Sequence, residues 1–171
     1  MARWREWLAL HLEENARAWE EIAGEGEASS MGLLGRLEAI SRALAELQRT
    51  ALAPFGINYA EFTTIGMLRT SQPDMRRSPT ELRRLVGQSS AGMTRILRKL
   101  SRERLVRRLP GRGDGRRRDV VLTAKGMALA DEAFAALFGA RSERLGARTK
   151  AERDAWQRAL DELLGFLAPT P

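Results

Sequence analysis

Between Arg76 and Arg118 the chain carries fifteen Lys or Arg and only three acids, Glu81, Glu103 and Asp114. That is a local balance of +12 in a chain of net charge +7, so one stretch holds all the excess positive charge and the remainder stands at −5. Charge sorted this strongly points to a polyanionic partner. Within the stretch, LPGRGDGRRRDVVLT (Leu109 to Thr123) sets a turn with three glycines and four arginines beside a short apolar run. Gly111, Gly113 and Gly115 permit the positive φ values of a tight hairpin tip. The arginines are not needed for the turn. Their chemistry suits phosphate backbones and the narrow minor groove, where negative potential rises.

Upstream lies a helical pattern with Met93, Ile96, Leu97 and Leu100 on one side and Arg95, Arg98 and Arg102 largely on the other. An α-helix fits the major groove, and its N-terminal residues are the ones that reach base edges. Here those are Ser90, Ala91, Gly92, Thr94 and Arg95. Small residues allow close approach, and Arg95 or Arg98 can pair two-pronged with guanine. Lys99 and Arg102 are placed for phosphates, which contribute affinity without reading sequence. The turn would carry Arg112, Arg116 and Arg117 to a neighbouring minor groove, with Asp114 holding an arginine in place.

Other chemistries find little support. The chain has no cysteine, so it offers no disulfide, thiolate metal site or cysteine nucleophile. His11 is its one histidine, on a Trp-rich stripe, which leaves no zinc set and no Ser-His-acid triad. No catalytic residue, metal or cofactor is expected. The glycines of the turn lack the Gly-Lys-Ser/Thr ending of a phosphate-binding loop, and a strand follows them. Arg112-Gly113-Asp114 spells an adhesion tripeptide by chance. No apolar run approaches the roughly 20 residues of a membrane span, and MARWREWLALHLEEN lacks the apolar middle of a secretory signal. A cytoplasmic protein with no membrane partner is expected.

These residues need elements to position them. Trp4, Leu8, Leu12, Trp19 and Ile22 mark a first helix that GEGEASS (Gly24 to Ser30) ends; Leu33, Leu37, Ile40, Leu44 and Leu47 mark a second, running to Pro54. Asn58-Tyr59-Ala60-Glu61 and Ser78-Pro79-Thr80-Glu81 have the spacing of capping boxes, and Ser89 or Ser90 caps the basic helix. Gly87 stops the short helix between them. Two strands then flank the arginine turn, Thr123 caps a long helix reaching about Gly146, and Thr149 starts a last one. The fold class is mostly α with a small β-wing: a winged helix-turn-helix core flanked by N- and C-terminal helices. The expected domains are N-terminal helices over 1–54, a DNA-binding domain over 55–122 and C-terminal helices over 123–171.

The segment SPTELRRLVGQSSAGMTRILRKLSRERLVRRLPGRGDGRRRDVVLTAKG, Ser78 to Gly126, resembles the winged-helix core of MarR-family transcriptional regulators, and FGINYAEFTTIGMLR resembles the family's lead-in helix. The resemblance implies a homodimer joined through its N- and C-terminal helices, presenting two recognition helices and two wings to a pseudo-palindrome of double-stranded DNA. By position, Asp114 and Arg116 match the family's wing pair, and Ser90, Gly92, Thr94, Arg95 and Arg98 fall on the major-groove face. The glycine that the family often carries before Leu105 is Arg104 here. The resemblance further implies a small organic effector, an anion being one candidate, that releases DNA. A urate-responsive branch is similar at Trp19, Arg95 and Arg108, while its acidic residue is Thr63 here. The leading expectation is a dimeric, sequence-specific repressor; the alternative is a non-specific architectural DNA binder.

Overall fold

A computed structural model of the protein describes residues 14–71, 73–111 and 118–167. The chain divides into two compact units, Met1–Thr50 and Ala51–Pro171. In the first, α1 spans Glu14–Ala23 and α2 spans Glu25–Leu52, running on into the second unit. The sequence reading gave all of GEGEASS to a break. The break is instead one residue, Gly24 at φ 101°. A single glycine at positive φ suffices to interrupt the helix, and Ser30 Oγ, donating to the Gly26 carbonyl at 3.0 Å, is already inside the next one.

The second unit opens with a 3₁₀ turn, Ala53–Phe55, closed by Gly56 at φ 66°. Helix α3 (Tyr59–Arg69) follows, capped by the reciprocal Asn58 and Glu61 pair that its sequence foretold. Next come β1 (Arg76–Arg77), α4 (Pro79–Val86), α5 (Ser90–Arg102), β2 (Val106–Pro110), β3 (Arg118–Leu122), α6 (Ala124–Gly146) and α7 (Lys150–Leu167). The strands form one antiparallel sheet in the order β1-β3-β2, with Arg76 opposite Val121 and Val106 opposite Leu122. Strand β1 lies where the sequence reads as loop; two arginines carry no alternating pattern by which to recognise it.

Ile65 and Leu68 of α3, Leu82 of α4, Leu97 and Leu100 of α5, Leu105, Val120 of β3, and Ala133 and Leu137 of α6 are buried. Helix α6 therefore packs on α3. Its start is held tightly. Thr123 Oγ1 accepts from Gly126 N at 3.1 Å and donates to the Arg104 carbonyl at 2.7 Å. A Cβ on Gly126 would lie 2.0 Å from the Leu105 carbonyl oxygen, so only glycine lets α6 approach this closely. Helix α7 differs: none of its residues is buried, and Trp156, Leu160, Leu164, Phe166 and Leu167 are exposed.

Candidate nucleic-acid interface

The short helix α4 is set at both ends. Ser78 Oγ accepts from Glu81 N at 3.2 Å, while the Glu81 carboxylate accepts from Ser78 N and Oγ, both at 2.8 Å. The Ser78 backbone N–H, then its hydroxyl, hold the Glu81 carboxyl below its ordinary pKa, with smaller help from Arg77 and Arg84. At the other end Gly87 adopts φ 67°, and Gln88 N donates back to the Arg83 carbonyl at 3.0 Å. That pairing is a Schellman closure, which satisfies free carbonyls of the last turn. Gly87 and Gln88 turn the chain within three residues into Ser89, whose Oγ caps α5 by accepting from Gly92 N at 3.1 Å.

Helix α5 buries Met93, Ile96, Leu97 and Leu100, the i, i+3, i+4, i+7 spacing of an amphipathic face. Ser90, Ala91, Thr94, Arg95, Arg98 and Arg102 are exposed, and Gly92 is half-buried. Six positions therefore form one outward face. The Thr94 hydroxyl donates to the Ser90 carbonyl at 2.8 Å, which leaves its methyl and oxygen lone pairs outward. Arg95 and Arg98 have no carboxylate partner among the described residues. Arg102 has only Glu103, at 4.0 Å with its own side chain 77% exposed, a contact of little weight.

Lys99, for which the sequence suggests a phosphate role, has protein partners. Its ammonium donates to the Gly56 carbonyl and to Glu61 Oε2, each at 2.7 Å. Lys99 lies between Ile96 and Leu100 at the border of the buried face, so its side chain reaches inward to α3. Glu61 is itself buried and also accepts from Asn58 N at 3.0 Å.

Helix α5 ends as α4 does, with Leu105 N donating to the Leu100 carbonyl at 2.9 Å and Arg104 N to Ser101 at 3.0 Å. Here the left-handed position, φ 59°, is filled by Arg104 rather than glycine. Beyond it β2 and β3 carry the exposed Arg107, Arg108 and Arg118. Arg76 anchors the sheet edge, its Nε 2.7 Å from Asp119 Oδ2 in a pair with side chains 18% and 15% exposed, and it also donates to the Pro110 carbonyl. Arg77 donates to Ser71 Oγ at 2.7 Å. Sequence reasoning gave no individual role to Arg76, Arg77, Arg84, Arg107 or Arg118; the signal available was their position beside the cap and the turn. The wing residues it did name, Arg112, Asp114, Arg116 and Arg117, lie outside the described residues.

Among the described residues of the second unit, Arg95 and Arg108 line different hollows. Arg95 lines a hollow of about 490 Å³ beside Glu61, Gln88 and Lys99. Arg108 lines another of about 980 Å³ with Arg84, Arg118 and Asp119. Thr63 lies on α3, its hydroxyl donating to the Tyr59 carbonyl at 2.8 Å, and Trp19 lies on α1, half exposed. A third hollow, about 450 Å³, opens between α3 and α6 at Phe62, Gly66 and Phe134. Arg69 and Asp131 rim it with a two-pronged pair at 2.9 and 3.2 Å. Among the described residues no group of His, Cys, Asp or Glu could hold a metal, and no helix is long and apolar enough to cross a membrane.

The order α4, tight turn, basic α5 and two-stranded wing is that of a winged helix-turn-helix. Residues 55–117 match the family model described as "MarR family". The HTH-type transcriptional repressor Rv2887 of Mycobacterium tuberculosis is 34% identical over 113 residues, 66% of this chain and 79% of that protein. The chain belongs to the MarR family. The structure of that MarR-family protein is similar with a TM-score of 0.56 at 30% identity, covering 78% of this chain and 92% of the other. A mutant MarR from E. coli, solved in complex with operator DNA, is similar at a TM-score of 0.64 and 26% identity. The match there covers 85% of this chain and 97% of MarR.

Proposed function

We propose that this MarR-family chain is a sequence-specific regulator of transcription that binds double-stranded DNA as a homodimer, acting as a repressor at a pseudo-palindromic operator. The observation that carries the reading is α5: six polar, small or basic residues face outward on a helix whose other face is locked into the core. Ser90, Gly92, Thr94, Arg95 and Arg98 would meet base edges, the Thr94 methyl suiting a thymine methyl and the arginines suiting guanine. Arg102, with Arg112, Arg116 and Arg117 of the wing, would hold phosphates and the minor groove, and Asp114 would orient a wing arginine. The E. coli relative solved with operator DNA supports the reading.

Dimerisation is supported by α7, which exposes Trp156, Leu160, Leu164, Phe166 and Leu167 and buries nothing. An apolar stripe of that kind marks an interaction surface. For an effector, the hollow between α3 and α6 offers aromatic walls and a rim of paired Arg69 and Asp131, which supports a small aromatic ligand; Trp19, Thr63, Arg95 and Arg108 are the set the resemblance implies. A ligand there would act by its differential affinity for the DNA-competent state.

A footprinting titration on DNA upstream of the protein's own gene tests the reading, near physiological salt and with excess unrelated DNA. A protected pseudo-palindrome spanning roughly two helical turns is expected. Diffuse protection that the competitor abolishes would favour the architectural alternative, because a specific regulator prefers its site by about 10³ or more.

A further inference from the structure

Resting on the reading of α5 as a recognition helix, we propose that Lys99 and Glu61 act as a positioning clasp that fixes the recognition helix against α3, and that Lys99 takes no DNA phosphate. The clasp has four members. Lys99 Nζ bridges the Gly56 carbonyl and Glu61 Oε2, both at 2.7 Å. The same Glu61 oxygen accepts from Asn58 N at 3.0 Å, and Asn58 Oδ1 accepts from Glu61 N at 2.9 Å. One carboxylate oxygen therefore joins the recognition helix to the first turn of α3 and to the loop that precedes it.

Burial decides that this is a fixed arrangement rather than a surface pair. The Glu61 side chain is only 6% exposed and that of Lys99 28%. A carboxylate so enclosed requires its counter-charge, and a lysine drawn to phosphate would leave it uncompensated. Arg95 and Arg98, which have no such partner among the described residues, stand on the exposed face. The clasp sits about two helical turns from Ser90 and Gly92, so loosening it misplaces the base-reading face of α5 without removing any exposed cation. Phe62, the residue after Glu61, lines the hollow between α3 and α6, which puts the clasp and that hollow on the same turn of α3.

Two models give opposite signs for one substitution. If Lys99 were a phosphate contact, Glu61→Gln would remove a competing negative charge and free the ammonium, and DNA binding would tighten. If the pair positions α5, Glu61→Gln loosens it and operator binding weakens. The experiment measures Kd for the operator and for unrelated DNA across a salt series, with the full-length wild type, Glu61→Gln, Lys99→Met and the double variant. Folded content is checked by circular dichroism. Each single variant is expected to lose roughly tenfold in operator affinity while unrelated DNA, bound through phosphates, changes by less than about twofold. The double variant should lose no more than the worse single, as residues acting as one unit do.

The salt slope should stay at the wild-type value, because no phosphate contact has gone; a slope shallower by about 1 for Lys99→Met would assign it to a phosphate and overturn the clasp. Tighter operator binding by Glu61→Gln would overturn it too, as would equal losses on both DNAs, the mark of a merely structural role. Lys99→Gln keeps the proposal testable should Lys99→Met fail to fold. A wild type with no operator preference would refute the regulator reading rather than the clasp.

Discussion

Gly126→Ala isolates a close backbone approach between α6 and Leu105. In open helix, alanine in place of glycine stabilises by up to about 1 kcal/mol. At this site the new Cβ would lie 2.0 Å from the Leu105 carbonyl oxygen, 2.9 Å from its carbon and 3.1 Å from Leu122 Cδ2. The nearest atoms are backbone, and that carbonyl also accepts from Thr123 N at 3.0 Å, so it cannot simply swing away. Moving α6 outward would stretch this bond and the Thr123 cap, each worth about 1 kcal/mol, and would strain the packing of Ala130 and Ala133 by roughly 1–3 kcal/mol. With the propensity gain subtracted, the variant should be destabilised by about 2–4 kcal/mol. Gly139, in the same helix with nothing within 4 Å of its added Cβ, is the control. Gly139→Ala should be stabilising by about 0.5–1 kcal/mol. Urea denaturation of both variants at one protein concentration reads the difference. Equal stability for Gly126→Ala and wild type would refute the steric argument.

Arg104→Gly should raise stability by about 0.5–1 kcal/mol, since it relieves a left-handed arginine at φ 59° against a smaller entropic loss; an unchanged or lower denaturation midpoint would count against the strain. The Glu81 carboxyl is held below its ordinary value of 4.5. Its contribution is thus present above the unfolded-state pKa and lost as pH falls through the folded one. Glu81→Gln should accordingly flatten the loss of thermal stability below about pH 5; parallel wild-type and variant curves would exclude this carboxylate as the cause. Leu160→Glu with Leu164→Glu should convert a dimer to a monomer in sedimentation, and an undisturbed dimer would place the interface elsewhere. Arg116→Ala should weaken operator binding by about 1–3 kcal/mol with the dimer intact, and wild-type affinity would remove Arg116 from the interface.

What the chain spelled locally, the structure repeats. Asn58, Ser78, Ser89 and Thr123 each accept the amide their spacing promised, because a cap involves residues only three apart. The apolar stripe Met93, Ile96, Leu97 and Leu100 was legible for the same reason. Non-local pairings were not. Strand β1 exists only through Val120 and Val121 of β3, more than forty residues away. Lys99 reads as one more cation on a basic helix until Glu61 and Gly56 are brought beside it. GEGEASS misled because glycine and serine suggest a loop, whereas one positive φ at Gly24 was enough. The departure at Arg104 was visible as a missing glycine, but its consequence needed the backbone angle.

The basic stretch that first suggested a polyanion divides by burial into two functions. Arg76 against Asp119 and Lys99 against Glu61 are enclosed pairs, each joining elements far apart in sequence. Removing one member of such a pair leaves an uncompensated charge and costs about 3–5 kcal/mol of stability. Arg95, Arg98, Arg107, Arg108 and Arg118 are exposed, and truncating any of them should leave the fold within about 0.5 kcal/mol of wild type. Sequence alone presents all seven as equivalent charges, and alanine scanning by DNA affinity alone would show losses in both groups. Only the exposed group can release counterions on contact with a phosphate, so only that group should change the salt dependence of binding, by about one per residue that makes a contact. The scaffold pairs should instead lower the melting temperature and leave the slope alone. On the proposed reading the excess positive charge is part framework and part interface, and the salt slope is the quantity that separates them.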